Sequence, residues 1–175
     1  FISYSINLMK KILYVEKTPR AQSFNDCPQL IRCLQQTQSE IEKALEAEFS
    51  LEFDDNFGMR TLGRLAQGFD GLLTHFPYER AILLSTRKPN PDINKFYSAL
   101  YCGAIGTMNE VRAKFPSLAI VVYTGAATGD ADDSKTPIMN KIITESGANR
   151  VVYRSNNLAS DAEAIRKHLA EILGD

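Results

Sequence analysis

Two short runs, Lys11-Ile12-Leu13-Tyr14-Val15-Glu16 and Leu118-Ala119-Ile120-Val121-Val122-Tyr123-Thr124-Gly125, constrain this chain more than any other feature. Each is apolar through its middle, rich in β-branched and aromatic residues, and stops at polar or small residues. A strand covered on both faces reads as a continuous apolar run, whereas a half-wet strand alternates. The expectation is a parallel sheet buried between helices, with the functional groups at the carboxyl ends of its strands.

The 175 residues suffice for one α/β domain with a proper core and are too few for two ordinary ones. One domain over residues 9–175 is expected. Residues 1–8 are then an extension upstream of Met9, or else an added edge strand. A composition of 44% hydrophobic and 23% charged residues is that of a globular protein. The net charge of −1 argues against a general binder of nucleic acid or membrane surfaces, which leaves a protein or a small molecule as partner. Cys27, Cys33 and Cys102 are odd in number and lack Cys-x-x-Cys spacing, so neither a disulfide framework nor a zinc site is indicated and a reducing cytoplasm is expected. No apolar run approaches the roughly 20 residues that span a bilayer. The stretch from Phe1 to Leu8 lacks the basic-then-apolar order of a signal peptide.

Along the chain, the first run is followed by a polar loop and then by Asp26-Cys27-Pro28-Gln29, where Asp as N-cap opens a helix carrying Leu30, Leu34, Ile41 and Leu45 at helical spacing to about Ala47. Phe49 to Phe53 predicts a second strand. Met59, Leu62 and Leu65 predict a short helix, and Asp70 to His75 a third strand that stops at Phe76-Pro77. Residues 81–84 fit either a helical turn or an extra strand, and the Lys88-Pro89-Asn90-Pro91 cluster a loop. A long helix is expected from Ile93 to Phe115, weakened by Gly103 and Gly106 and ended by Pro116. The second apolar run then forms strand four. Thr136-Pro137 starts a helix that Gly147 ends, and Val151 to Arg154 make strand five. Ser160-x-x-Glu163 reads as a capping box for a last helix burying Ala162, Ile165, Leu169 and Ile172. Five β-α repeats with right-handed crossovers predict a doubly wound, five-stranded parallel sheet of flavodoxin-like order in a three-layer sandwich.

In this order the blocks from Lys10 to Leu173 resemble a response-regulator receiver (CheY-like) domain. Ile12 to Glu16 stands where such domains lead into an acidic pair. Asp70 to Pro77 is similar to their third strand, whose end carries the phosphorylated aspartate before a proline-bearing loop. Val121 to Gly125 matches the fourth strand with its terminal Thr, and Gly147 to Arg154 the block that opens with Gly-Ala and ends in lysine. The resemblance implies carboxylates around magnesium, a phosphoryl acceptor, and a hydroxyl and a lysine that read the phosphoryl oxygens.

The departures from that pattern carry the functional expectation. Glu16 is followed by Lys17 rather than a second acid, and the acceptor position falls on His75, or on Thr74 if the register shifts by one. Asp70 lies at the wrong end of the strand, roughly 15 Å away at about 3.3 Å per residue. Thr124 is kept, and Arg154 replaces lysine, preserving charge but not the compact ammonium. Glu16, Lys17, Thr74, His75, Thr124 and Arg154 thus form a degenerate phosphoacceptor pocket, in which Lys17 or Arg154 pairs with Glu16 or is simply solvated. An atypical receiver follows, a module that binds a signalling partner without aspartyl phosphorylation, is not an enzyme and carries no metal or cofactor. The resemblance places Tyr153, Asn157 and Lys167 near the face of the fifth strand and last helix that receivers use for docking or homodimers.

An alternative reading takes the loop from Thr124 through Gly125, Thr128 and Asp130 to Ser134 as a phosphate cradle for a nucleotide or flavin. Against it, Asp130, Asp132 and Asp133 repel phosphate. No nucleophilic triad stands out, because His75 and His168 lie in different elements without a Gly-x-Ser-x-Gly elbow.

Overall fold

The computed structural model describes residues 9–16, 28–54, 59–74, 106–124 and 145–174. Its elements are β1 (Lys10–Val15), α1 (Pro28–Leu45), β2 (Phe49–Asp54), α2 (Met59–Leu65), β3 (Gly71–Thr74), α3 (Gly106–Lys114), β4 (Ala119–Thr124), β5 (Arg150–Tyr153) and α4 (Leu158–Gly174). All five strands pair in parallel in the order β2-β1-β3-β4-β5. The doubly wound, five-stranded parallel sheet expected from the apolar runs is therefore what forms.

Burial explains why those runs lack alternation. Every residue of β3 and β4 is buried, as are the last four of β1. Leu13, Val15, Leu72, Ile120 and Val122 pack on one face with Leu62 and Leu65 of α2 and Met108 and Val111 of α3. Ile12, Tyr14, Leu73, Val121, Tyr123 and Val152 pack on the other with Ile41 and Leu45 of α1 and Ala162, Ile165 and Leu169 of α4. Successive side chains of a strand alternate between faces, so both must be apolar when helices cover both. At Gly71 a Cβ would come within 2.7 Å of Cδ1, the tip of the Ile12 side chain, which would have to shift to admit it.

One arginine fastens the entry to the second half of the sheet. Arg112, near the end of α3, donates to Pro116 O (2.8 Å), to Leu118 O (2.9 Å), twice to Gly147 O (2.6 and 3.1 Å) and to Asn149 Oδ1 (2.8 Å). All five guanidinium N–H groups are thereby engaged. Gly147 adopts φ 70°, which lets the chain turn out of a helix and present its carbonyl to Arg112.

Two details differ from expectation. The last helix does not use Ser160-x-x-Glu163 as its capping box. It starts at Leu158, and Asn157 Oδ1 accepts the Ser160 N–H at 3.1 Å, so Asn157 is the cap. Glu163 instead pairs with Arg166, which holds its carboxyl below the ordinary range. The second strand also runs one residue beyond Phe53, to Asp54. Of the helix expected over 93–115, Gly106–Lys114 is observed and residues 93–105 lie outside the described residues. The Asp26 cap, the turn or strand at 81–84, the loop at 88–91 and the Thr136-Pro137 helix start lie outside them too. No described helix is long and apolar enough to cross a membrane.

Candidate functional site

The register decides which residues reach the carboxyl edge of the sheet. Val15 pairs with both Asp54 and Thr74, Thr74 with Val122, and Thr124 with Tyr153. Glu16, Thr74, Thr124 and Arg154 therefore stand at that edge. Lys17, His75, Gly125, Thr128 and Asp130 lie outside the described residues. Asp70 sits at the opposite edge, where its carboxylate accepts the Lys11 N–H at 2.8 Å and meets Lys10 Nζ at 3.6 Å.

Strand alternation divides the four residues between the two faces. Thr74 and Thr124 are two positions on from Leu72 and Val122, on the face covered by α2 and α3, and both are buried. Glu16 shares its face with Tyr14, whose hydroxyl donates to the Glu16 carboxylate. Arg154 follows Val152 on that face, under α1. The hydroxyls and the charges thus occupy opposite sides of the sheet.

Arg154 is committed there. Its Nη2 donates to Thr37 Oγ1 of α1 and lies 3.7 Å from Cys33 Sγ, while its guanidinium carbon sits 5.8 Å from the centre of the Tyr123 ring. Its backbone N–H donates to Thr124 O at 2.8 Å, extending the β4–β5 ladder by one residue. Among the described residues no ion pair joins Arg154 to Glu16, and the arginine points to α1 instead; Lys17, the other partner considered for Glu16, lies outside the described residues. Tyr14 and Tyr123 are both held protonated well above the usual phenol range, in each case chiefly by burial. For Tyr14 the neighbouring Glu16 carboxylate adds to the effect.

Two buried acids at this edge are absent from the sequence-based candidates. Asp161, in the first turn of α4, accepts from the Tyr123 hydroxyl (3.0 Å), the Ser155 N–H (2.8 Å) and the Ser155 hydroxyl (2.6 Å). Asp54, at the end of β2, has no exposed side-chain surface and, among the described residues, no side-chain hydrogen bond, with Arg60 Nε at 3.6 Å and Arg64 Nη1 at 3.8 Å. The signal for Asp161 was an acid in the first turn of a helix, usually satisfied by the helix itself. For Asp54 it was an acid closing an alternating strand, which reads equally as the first residue of a loop. No group of three or more metal-ligating side chains converges among the described residues.

No family model matches the chain, and no curated protein does. Solved structures do. The signal receiver domain of an HD domain-containing protein from Pseudomonas fluorescens Pf-5 superposes with a TM-score of 0.54 at 15% identity, covering 96% of this chain and all (100%) of that one. The fold is the receiver fold. A response regulator from Thermotoga maritima gives 0.53 at 12% identity, covering 96% of this chain and 100% of its own. Chemotaxis response regulator CheY4 of Vibrio cholerae gives 0.54 at 13%, covering 92% and 99% respectively. At such identities the likeness is one of architecture, and function has to be argued from the residues at the edge of the receiver sheet.

Proposed function

We propose that this chain is an atypical receiver-like signalling module that works through protein contacts in the cytoplasm, without aspartyl phosphorylation and without catalytic activity of its own. The observation that carries the reading is the commitment of Arg154. A cation that reads a phosphoryl group has to be aimed at the acceptor, whereas this guanidinium is bonded to Thr37 and laid on Tyr123. The division of Thr124 and Arg154 between opposite faces supports the same conclusion, because a shared oxyanion needs its hydroxyl and its cation on one side. At the acceptor, Thr74 supplies a hydroxyl and His75 an imidazole where the receiver resemblance calls for a carboxylate. The output is then a surface, and Tyr153, Asn157 and Lys167 are exposed along β5 and α4 to provide it.

The test is the intact mass and the thermal stability of the purified protein, with and without magnesium plus beryllofluoride or acetyl phosphate. A working acidic pocket gains stability by mass action when it binds, about 2.7 kcal/mol at one hundred times Kd. Unchanged melting and mass are expected. A clear stabilisation or an added phosphoryl group would overturn the proposal, and a co-purified nucleotide or flavin would replace it with a ligand-binding function for the loop after Thr124.

A further inference from the structure

Two consecutive residues just past β5 are held by different helices. Arg154 is bound to α1, through Thr37, and Ser155 to α4, through both oxygens of Asp161. The Thr37 hydroxyl already donates to Cys33 O at 2.8 Å, so only its lone pairs remain for the guanidinium, and Arg154 has to be the donor. Thr37 is 1% exposed, which makes the direction of this contact strict. On the other side, one Asp161 oxygen accepts both the Ser155 N–H and the Tyr123 hydroxyl. That carboxylate therefore fixes the backbone next to Arg154 and the aromatic ring on which its guanidinium lies.

Building on the receiver-like reading above, we propose that Asp161 is a positioning residue: through Ser155 and Tyr123 it aims Arg154 at α1, and so joins α1, the end of β5 and the start of α4 into one mechanical unit. Among the described residues no hydrogen bond or ion pair joins Asp161 to Arg154, so it acts through these two intermediaries. The chemistry favours arginine in this role. A planar guanidinium can lie on the Tyr123 ring while one of its nitrogens reaches Thr37, and a lysine ammonium has no flat face to offer. A partner that docks on α1 is then felt at the β5–α4 junction, because the same bonded chain links both.

The experiment is amide hydrogen exchange on the full chain, read in the α1 segment around Thr37 with β3 amides as the internal control. Arg154→Ala is expected to speed α1 exchange roughly five- to tenfold, as the loss of a partly exposed hydrogen bond from a charged donor does. Asp161→Ala should produce a similar acceleration in α1, to which no hydrogen bond or ion pair among the described residues joins its side chain, and the double variant should show no further gain. Asp161→Asn keeps an acceptor oxygen for Tyr123 and Ser155 and should stay within about twofold of wild type. If Asp161→Ala proves too unstable to purify, Tyr123→Phe removes the hydroxyl intermediary while keeping the ring and leaves the Ser155 N–H on Asp161, so a smaller acceleration of α1 is expected and wild-type α1 exchange would overturn the proposal. Wild-type α1 exchange in Asp161→Ala, or accelerations that multiply in the double variant, would overturn the proposal. Beryllofluoride binding by the wild type bears only on the unphosphorylated reading, so the two failures are distinguishable.

Discussion

Replacing Asp161 tests the bonded junction through its energetics. Its carboxylate is 5% exposed and takes three hydrogen bonds, two of them from Ser155. Asp161→Ala strands the buried Tyr123 hydroxyl at about 1–3 kcal/mol, while the exposed Ser155 turns its N–H to water and its hydroxyl to the Asn157 carbonyl 3.3 Å away and loses less. The expected cost is therefore about 2–3 kcal/mol, a large fraction of a typical domain's stability. Asp161→Asn should cost only about 1 kcal/mol. Its oxygen replaces the one that serves Tyr123 and the Ser155 N–H, and its amide donates to the second lone pair of Ser155 Oγ, beside the Asn157 N–H that this oxygen accepts at 3.0 Å. The chain has no tryptophan, so urea unfolding followed by far-ultraviolet circular dichroism is the assay. A loss below about 1 kcal/mol for the alanine variant, or equal losses for the two variants, would refute the hydrogen-bond argument.

Asp54→Asn is expected to change stability by less than about 1 kcal/mol, since the carboxylate makes no hydrogen bond, Arg60 is solvated and Arg64 keeps Glu52 at 2.7 Å; urea midpoints showing a loss of 3 kcal/mol or more would reveal a tight buried pair. Arg112→Lys should cost about 2–3 kcal/mol by the same assay, because an ammonium cannot meet four backbone and side-chain oxygens spread around a planar fork. Alkaline pH should destabilise the fold. Tyr14 binds its proton more tightly folded than unfolded, so its contribution is complete below the ordinary phenol value of 10.0 and is lost as pH rises above it, by up to about 1.4 kcal/mol per pH unit. Tyr14→Phe should flatten that decline in a pH series of thermal melts, and an unaltered slope would count against it.

The sheet was legible because double-sided burial leaves a trace that single-sided burial does not. Ile12 to Val15 and Ala119 to Tyr123 are apolar at every position because helices cover both faces. The bounds moved by a residue at most strand ends, where hydrogen bonding rather than hydrophobicity sets the limit. The cap of the last helix was misread for a local reason. Ser160 and Glu163 have capping-box spacing, but Asn157 comes first in the chain, and Glu163 finds a stronger partner in Arg166. At the candidate site, the strand-end positions of Glu16, Thr74, Thr124 and Arg154 were readable, since position along a strand follows from the run itself. The aim of each side chain was not. The contact between Arg154 and Thr37 spans 117 residues, and no local pattern encodes it.

Alternation sets Thr124 and Arg154, which stand at receiver-type positions, on opposite faces of the sheet. Thr124 and Arg154 stand near the ends of neighbouring strands, close enough for the Arg154 N–H to bond the Thr124 carbonyl at 2.8 Å. Proximity of the backbones says nothing about convergence of the side chains, which depends on parity. Thr124 has the parity of Val122 and turns to α2 and α3, while Arg154 has the parity of Val152 and turns to α1. A lysine at position 154 has four rotatable carbons and no planar preference, so it can sweep around the strand end toward the other face. The arginine found there gains a ring to lie on and a buried hydroxyl to bond, and both lie on the face it already occupies. Substituting Arg154 with Lys therefore changes more than a donor geometry: it releases the cation from Tyr123 and Thr37 and returns it to the edge of the sheet. Arg154→Lys should therefore increase the protein's affinity for small phosphate-like anions at this edge relative to wild type, as measured by titration calorimetry. Equal weak binding by both would refute the argument from the direction of the cation.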